Sequence, residues 1–81
     1  MKRSDLMELV VEALKSKKLS GKGTPKDVAK YVWDNYESEL KKSGDLLYTW
    51  QYDIRWAANT LRQKGILKPV HGSTNLPWEL S

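Results

Sequence analysis

Gly65 separates two parts of the chain that have different hydrophobic periods. Before it, apolar residues recur at spacings of three and four along three successive segments, which is the pattern of amphipathic helices. After it, residues 66–70 and 76–80 are short apolar segments on either side of a polar turn at 71–75, which is typical of a β-hairpin. The chain is therefore predicted to form three helices followed by two strands.

The first helix is predicted from about residue 5 to residue 17, with Ser4 as its N-cap. Acidic residues lie in its first turn and lysines at its end, which is the favourable order for the helix dipole. Its apolar stripe consists of Leu6, Leu9, Val10, Ala13 and Leu14. Residues 19–23 contain two glycines and little apolar surface, so they are predicted to form a loop.

The second helix has a strong start signal in Thr24, Pro25 and Asp27. Thr24 suits the N-cap, Pro25 the first helical position, and Asp27 the acidic position of a capping box. The helix is predicted to reach residue 41 or 42 and to end at residues 43–45. Its apolar face is predicted to be Val28, Ala29, Val32, Trp33, Tyr36 and Leu40.

The third helix is predicted to follow a short apolar segment at residues 46–48, which is interpreted as extended or as a tight lead-in. Thr49 or Asp53 would cap this helix, and it would run to about residue 64 before Gly65 ends it in a left-handed conformation. The buried stripe is predicted to be Trp50, Ile54, Ala57 or Ala58, and Leu61.

Three helices followed by a β-hairpin are the element order of a winged helix-turn-helix, an α+β fold. Helices two and three would form the closely connected pair, and Pro69 would restrict the first hairpin strand to a sheet edge. With 81 residues, the chain is predicted to be a single winged-helix domain covering residues 1–81.

The second half of the chain also carries motifs of a known family, namely Trp56-Ala57, Leu61, Gly65-Ile66-Leu67 and Trp78-Glu79-Leu80-Ser81. In these motifs it resembles the N-terminal winged-helix domain of Mrr-type restriction proteins. It departs from that family at Asp53, where arginine is frequent, and in the hairpin turn, which is longer and carries His71. The resemblance implies target recognition in a restriction-modification or regulatory system, without the family's nuclease domain and without cleavage.

The side of the third helix opposite its apolar stripe carries a polar set: Gln51, Tyr52, Arg55, Asn59, Arg62 and Gln63. Arginine binds guanine through its forked guanidinium, and asparagine or glutamine pairs with adenine. In a helix-turn-helix this helix enters the major groove, so duplex DNA is the leading predicted partner. A solvated polar helix face is the alternative interpretation of the same residues.

Two further groups are predicted to contact the DNA backbone. Around the start of the second helix, where free amides and the helix dipole attract phosphate, they are Lys22, Thr24 and Lys26. In the hairpin they are Lys68, His71, Ser73 and Asn75, which are predicted to reach the backbone or the minor groove. Solubility lysines around a capped helix and an ordinary polar turn are the corresponding alternatives.

Composition argues against catalysis. The chain has no cysteine and one histidine, His71, and it has no glycine-rich phosphate loop. No cluster has metal-ligand spacing, so the chain is predicted to be non-enzymatic, with no metal, no cofactor and no small-molecule substrate. No apolar segment approaches the roughly 20 residues of a membrane helix, and Glu8 and Glu12 argue against a signal peptide, so a cytoplasmic location is predicted.

Two other binding functions stay open on the sequence. The net charge of +4 is modest, and the second helix exposes Asp34, Glu37 and Glu39, which favours a winged helix that contacts another protein as an adaptor or inhibitor. Tyr48 and Tyr52 would instead favour stacking on single-stranded DNA or on RNA. The four tryptophans are predicted to pack in the core.

Overall fold

The computed structural model describes residues 1–69 and 77–81, which form three α-helices and a two-stranded antiparallel sheet. In chain order the elements are α1 (Asp5–Lys15), β1 (Lys22–Gly23), α2 (Pro25–Lys41), α3 (Leu46–Gln63) and β2 (Trp78–Glu79). The prediction of an α+β chain with three helices and C-terminal strand structure is confirmed.

The sheet joins parts of the chain that are far apart in sequence. In β1 and β2, Lys22 lies opposite Glu79 and Gly23 lies opposite Trp78. On the other side of the C-terminal segment, Leu67 and Leu80 form an isolated antiparallel bridge. The amide of Lys68 donates to the carbonyl oxygen of Glu79 over 2.8 Å. Residues 78–80 therefore lie between the segment before α2 and the segment after α3.

The prediction of a loop at residues 19–23 is wrong for Lys22 and Gly23, which form β1. A two-residue strand has no periodicity to detect, and its partner lies more than fifty residues away in sequence. The predicted strand at 66–70 is narrower than expected, because only Leu67 forms a bridge among the residues described there. The last residue of the predicted first strand, the predicted turn and the first residue of the returning strand, residues 70–76, lie outside the described residues.

One hydrophobic core lies between the helices and extends to the sheet through Leu67 and Trp78. The stripes predicted for the first and third helices are confirmed as buried, and both Ala57 and Ala58 belong to the core. On α2 all six predicted residues face the core, but they are buried to different degrees. Val28, Val32 and Leu40 are fully buried, whereas the other predicted members are half-buried against the core: Ala29, Trp33 and Tyr36.

The starts of α1 and α2 differ in how their free amides are satisfied. At α2 the predicted capping box is confirmed, because Asp27 N donates to Thr24 Oγ1 over 3.1 Å and Thr24 N donates to Asp27 Oδ2 over 3.2 Å. At α1 the prediction of a Ser4 cap is wrong. The backbone of Ser4 is already helical, so its hydroxyl is not placed to accept from the first turn.

The helix ends are also shifted from the prediction in two places. α1 ends at Lys15 and not at residue 17, because Ser16 is extended and its hydroxyl donates to the carbonyl oxygen of Ala13 over 2.6 Å. α3 begins at Leu46, so the extended lead-in and the Thr49 or Asp53 cap are wrong. Leu46 is 8% exposed and adds a turn to the buried stripe of α3, which stabilises helix in that segment.

The predicted end of α3 at Gly65 is confirmed. Gly65 has φ +79°, a left-handed conformation that costs little without a Cβ. The next amide, Ile66 N, donates back to the carbonyl oxygen of Leu61 over 2.9 Å. This turn directs the chain from α3 into the segment that pairs with Leu80.

Candidate functional site

A groove of about 710 Å³ runs between the first half of α2 and the first half of α3. Its polar lining comes from both helices: Lys26, Lys30, Gln51, Tyr52 and Arg55. Its apolar lining consists of Pro25, Ala29, Trp33, Trp50 and Ile54. Four of the residues predicted to contact DNA, on two different helices, therefore line one surface.

Two stacked tryptophans fix the spacing of α2 and α3 under this groove. The rings of Trp33 and Trp50 are 5.9 Å apart at their centroids and are nearly parallel, at 8°. Trp50 is only 4% exposed, whereas Trp33 is half-buried and reaches the groove. The prediction of core packing is confirmed for Trp50 and Trp78, while Trp33 and Trp56 lie at the edge of the core.

The outer face of α3 is unusually aromatic. Tyr48 and Tyr52 lie one helical turn apart and are 84% and 79% exposed. Gln51, Arg55 and Asn59 are exposed along the same side of the helix. Arg55 forms no ion pair or side-chain hydrogen bond with the residues that the structure describes, so its five donors are available to a ligand.

The C-terminal half of the predicted α3 set has different surroundings. Arg62 is half-buried and donates from Nη1 to Asn59 Oδ1 over 2.7 Å and from Nε to the carbonyl oxygen of Lys68 over 3.3 Å. These bonds use part of the hydrogen-bonding capacity of both side chains. Gln63 is exposed at the end of α3. The structure thus separates Arg62 and Asn59 from the groove that Arg55 lines.

The residues predicted to contact the DNA backbone are only partly brought together. Lys26 is exposed and lines the groove, and Lys22 is exposed on β1. The hydroxyl oxygen of Thr24 accepts the capping hydrogen bond of α2. Lys68 Nζ lies 3.2 Å from Glu79 Oε1, so its charge is compensated within the chain. The remaining hairpin candidates lie outside the described residues: His71, Ser73 and Asn75.

One cluster on the flank of α3 is not predictable from local sequence. The Arg3 guanidinium carbon lies 3.7 Å from the centroid of the Trp56 ring, and Arg3 Nε lies 4.0 Å from Asp53 Oδ1. Asp53 Oδ2 also accepts a hydrogen bond from Thr49 Oγ1 over 2.8 Å. Helical spacing alone relates Thr49, Asp53 and Trp56, but no sequence pattern indicates that Arg3 contacts them.

A second polar cluster joins α1 to α2. Tyr36 Oη donates to the Glu12 carboxylate over 2.7 Å, and Tyr31 Oη lies 3.1 Å from Glu12 Oε2. The hydrogen bond to Glu12, followed by burial, raises the pKa of Tyr36 to about 12. Burial, followed by the hydrogen bond to Glu12, raises the pKa of Tyr31. Tyr36 itself interrupts the helical backbone of α2, with φ −130° and ψ 19°.

Two of the four acidic side chains of α2 pair with lysines one turn away. Asp34 Oδ2 lies 3.0 Å from Lys30 Nζ, and Glu37 Oε2 lies 2.8 Å from Lys41 Nζ. Exposed pairs of this kind contribute little stability, but they do reduce the net negative potential of the helix.

Within residues 1–69 and 77–81, no three His, Asp or Glu side chains lie close enough together to hold a metal ion. Among the same residues, no helix has the length and apolar composition needed to cross a membrane. Comparison of the chain with family models, curated proteins and solved structures gives no match.

Proposed function

We propose that this chain is a non-catalytic, DNA-binding winged-helix domain in which α3 lies in the major groove of a duplex. The order of the elements supports this assignment: a helix, a short strand, two helices and then paired C-terminal segments. The C-terminal strand β2 lies between β1 and residues 67–68. The resemblance to the N-terminal domains of Mrr-type restriction proteins supports a role in target recognition in a restriction or regulatory system.

The observation that carries the proposal is that Arg55 of α3 and Lys26 of α2 line the same groove. Arg55 is exposed on α3 and has no intramolecular partner among the described residues, and Lys26 is exposed in the first turn of α2. Arginine on the outer face of a helix in the major groove is the commonest reader of bases, and cations beside that helix bind the phosphates. The positions of Arg55 and Lys26 support the proposal, because the first could contact a base while the second contacts a phosphate.

The neighbouring side chains complete this interface. Gln51 lies one turn before Arg55 and has the donor and acceptor that adenine requires. Tyr52 adds a phenol that reaches phosphate or the apolar edge of a base. The free amides at the start of α2 favour an anion near Lys26. Asn59 and Arg62 are secondary contacts in this proposal, because they bond to each other.

The test is fluorescence anisotropy of a labelled mixed-sequence duplex, titrated with the protein at low and at physiological salt. We expect an affinity that falls steeply as salt rises. Arg55→Ala is expected to weaken binding by about 1–3 kcal/mol, the range for an arginine that contacts a base. Lys15→Ala is the matched control, since Lys15 is an exposed cation at the end of α1 that does not line the groove. Equal affinities for Arg55→Ala and the control would contradict the proposal.

A protein-contact function is the second candidate, and one observation favours it. Tyr48 and Tyr52 are the most exposed large hydrophobic side chains among the described residues, and tyrosine is enriched where proteins bind one another. This candidate predicts no duplex affinity at any salt concentration. A single-stranded oligonucleotide in the same titration tests the third possibility, because stacking on the tyrosines would favour single strands over duplex.

A further inference from the structure

Arg3 packs against Asp53 and Trp56, on a side of α3 that does not line the groove. Gln51 and Arg55 face that groove. Asp53, which Arg3 contacts, is two residues from Gln51, which rotates it by about 200° around the helix, and Trp56 is one residue from Arg55, which rotates it by about 100°. Tyr48 and Tyr52 are exposed between the two flanks. The outer face of α3 is thus bordered by one cation from α2 and another from the segment before α1.

The position of Arg3 is fixed without using up its donors. Its guanidinium lies against the Trp56 ring, and such stacking leaves the N–H groups at the edge of the plane available. Its contact with Asp53 is long, at 4.0 Å, and 53% of the Arg3 side chain remains exposed. A planar group with free edge donors suits an oxyanion that accepts two parallel hydrogen bonds.

We propose that Arg3 binds a DNA phosphate, so that the backbone contacts lie on both flanks of α3. This inference rests on the proposed DNA-binding function and extends the interface to a residue outside the helix-turn-helix pair. A helix in the major groove lies between two phosphate backbones, and Lys26 and Arg3 are placed to contact one each. Asp53 positions the Arg3 guanidinium, and its carboxylate lowers the net positive charge of the pair. Asp53 is therefore expected to weaken the contact between Arg3 and phosphate.

The experiment measures duplex affinity as a function of salt for wild type, Arg3→Gln, Arg3→Lys and the control Lys15→Gln. One phosphate contact contributes about 0.9 to the slope of log affinity against log salt, which corresponds to an affinity loss of about eightfold at about 0.1 M salt for Arg3→Gln. Arg3→Lys keeps the charge and is expected to keep most of the slope. Lys15 is the last residue of the eleven-residue α1, a helix about 16 Å long whose other end is next to Arg3, and its variant is expected to match wild type.

Asp53→Asn distinguishes two explanations of an effect of Arg3 on DNA affinity: direct binding of phosphate by Arg3, and neutralisation of the Asp53 charge by Arg3. If Arg3 binds phosphate, Arg3→Gln lowers the salt slope in the Asp53→Asn background as well. If Arg3 only neutralises Asp53, that substitution has no effect in this background, and the proposal is overturned. If Arg3→Gln weakens the affinity but leaves the salt slope unchanged, the role of Arg3 is purely structural, and the proposal is also overturned. Absence of duplex binding by the wild type would instead remove the proposed function itself.

Discussion

Arg55 and Arg62 are on the same helix, but their surroundings differ. Arg55 is exposed beside the groove, whereas Arg62 is half-buried and bonds to the Lys68 carbonyl oxygen and to Asn59. Sequence spacing places both arginines on the polar side of α3 and does not distinguish them, because the difference depends on where the chain turns after Gly65.

We therefore expect Arg62→Ala to affect stability and Arg55→Ala to leave it nearly unchanged. Loss of the Arg62 bonds removes a link between α3 and the segment that pairs with Leu80, which is expected to cost about 1 kcal/mol. Thermal unfolding monitored by circular dichroism measures both variants. A larger loss of stability for Arg55→Ala than for Arg62→Ala would contradict this distinction.

At the scale of single elements, the start of α2 depends on Thr24. Its hydroxyl accepts from Asp27 N, and Asp27 accepts from Thr24 N in return. Thr24→Ala is expected to destabilise the protein by about 0.5–2 kcal/mol in chemical denaturation, whereas Thr24→Ser keeps the cap and is expected to retain most of the stability. Ser38→Ala, an exposed position inside α2, is the control. Equal stability of Thr24→Ala and the control would show that the capping box contributes nothing.

The elements also indicate which features the sequence could predict. The buried stripes and the capping box of α2 depend on residues within a few positions of one another, so local patterns identify them. The first turn of α3 has no side-chain cap and is helical because Leu46 packs into the core. The strand β1 exists because of its pairing with β2. These two features depend on tertiary contacts, which a single sequence does not display.

The candidate site divides in the same way. The periodicity of α3 correctly predicts that Gln51, Tyr52 and Arg55 share an exposed side, and Lys26 joins them because α2 packs beside α3. The contact of Arg3 with Trp56 spans more than fifty positions, and the bond from Arg62 to Lys68 depends on the turn at Gly65. Local sequence patterns predict which side chains are exposed. They do not predict which of these side chains already bond to another part of the chain.

At the scale of the whole molecule, α1 and α2 are joined by phenol–carboxylate hydrogen bonds that depend on pH. The pKa of Tyr36 is raised to about 12 from an ordinary value of 10.0, so the folded state holds this proton more tightly than the unfolded state does. The resulting stability is fully present below about pH 10 and is lost as pH rises through 12.

The free energy of unfolding of the wild type is therefore expected to decrease between pH 10 and 12. Tyr36→Phe removes the titrating phenol and is expected to make this decrease smaller. Tyr48→Phe changes a highly exposed phenol and is expected to follow the wild type. Urea denaturation at a series of pH values measures all three proteins, and identical pH profiles for Tyr36→Phe and wild type would contradict the coupling.

The nearly parallel stack of Trp33 on Trp50 has a spectroscopic consequence. Two indoles this close together couple their electronic transitions, so the pair should produce an exciton signal in circular dichroism that a protein with isolated tryptophans lacks. Because Trp33 also lines the groove, a ligand that enters between α2 and α3 would quench its emission or change that signal. The protein thus contains its own label-free optical reporter at the surface where binding is proposed.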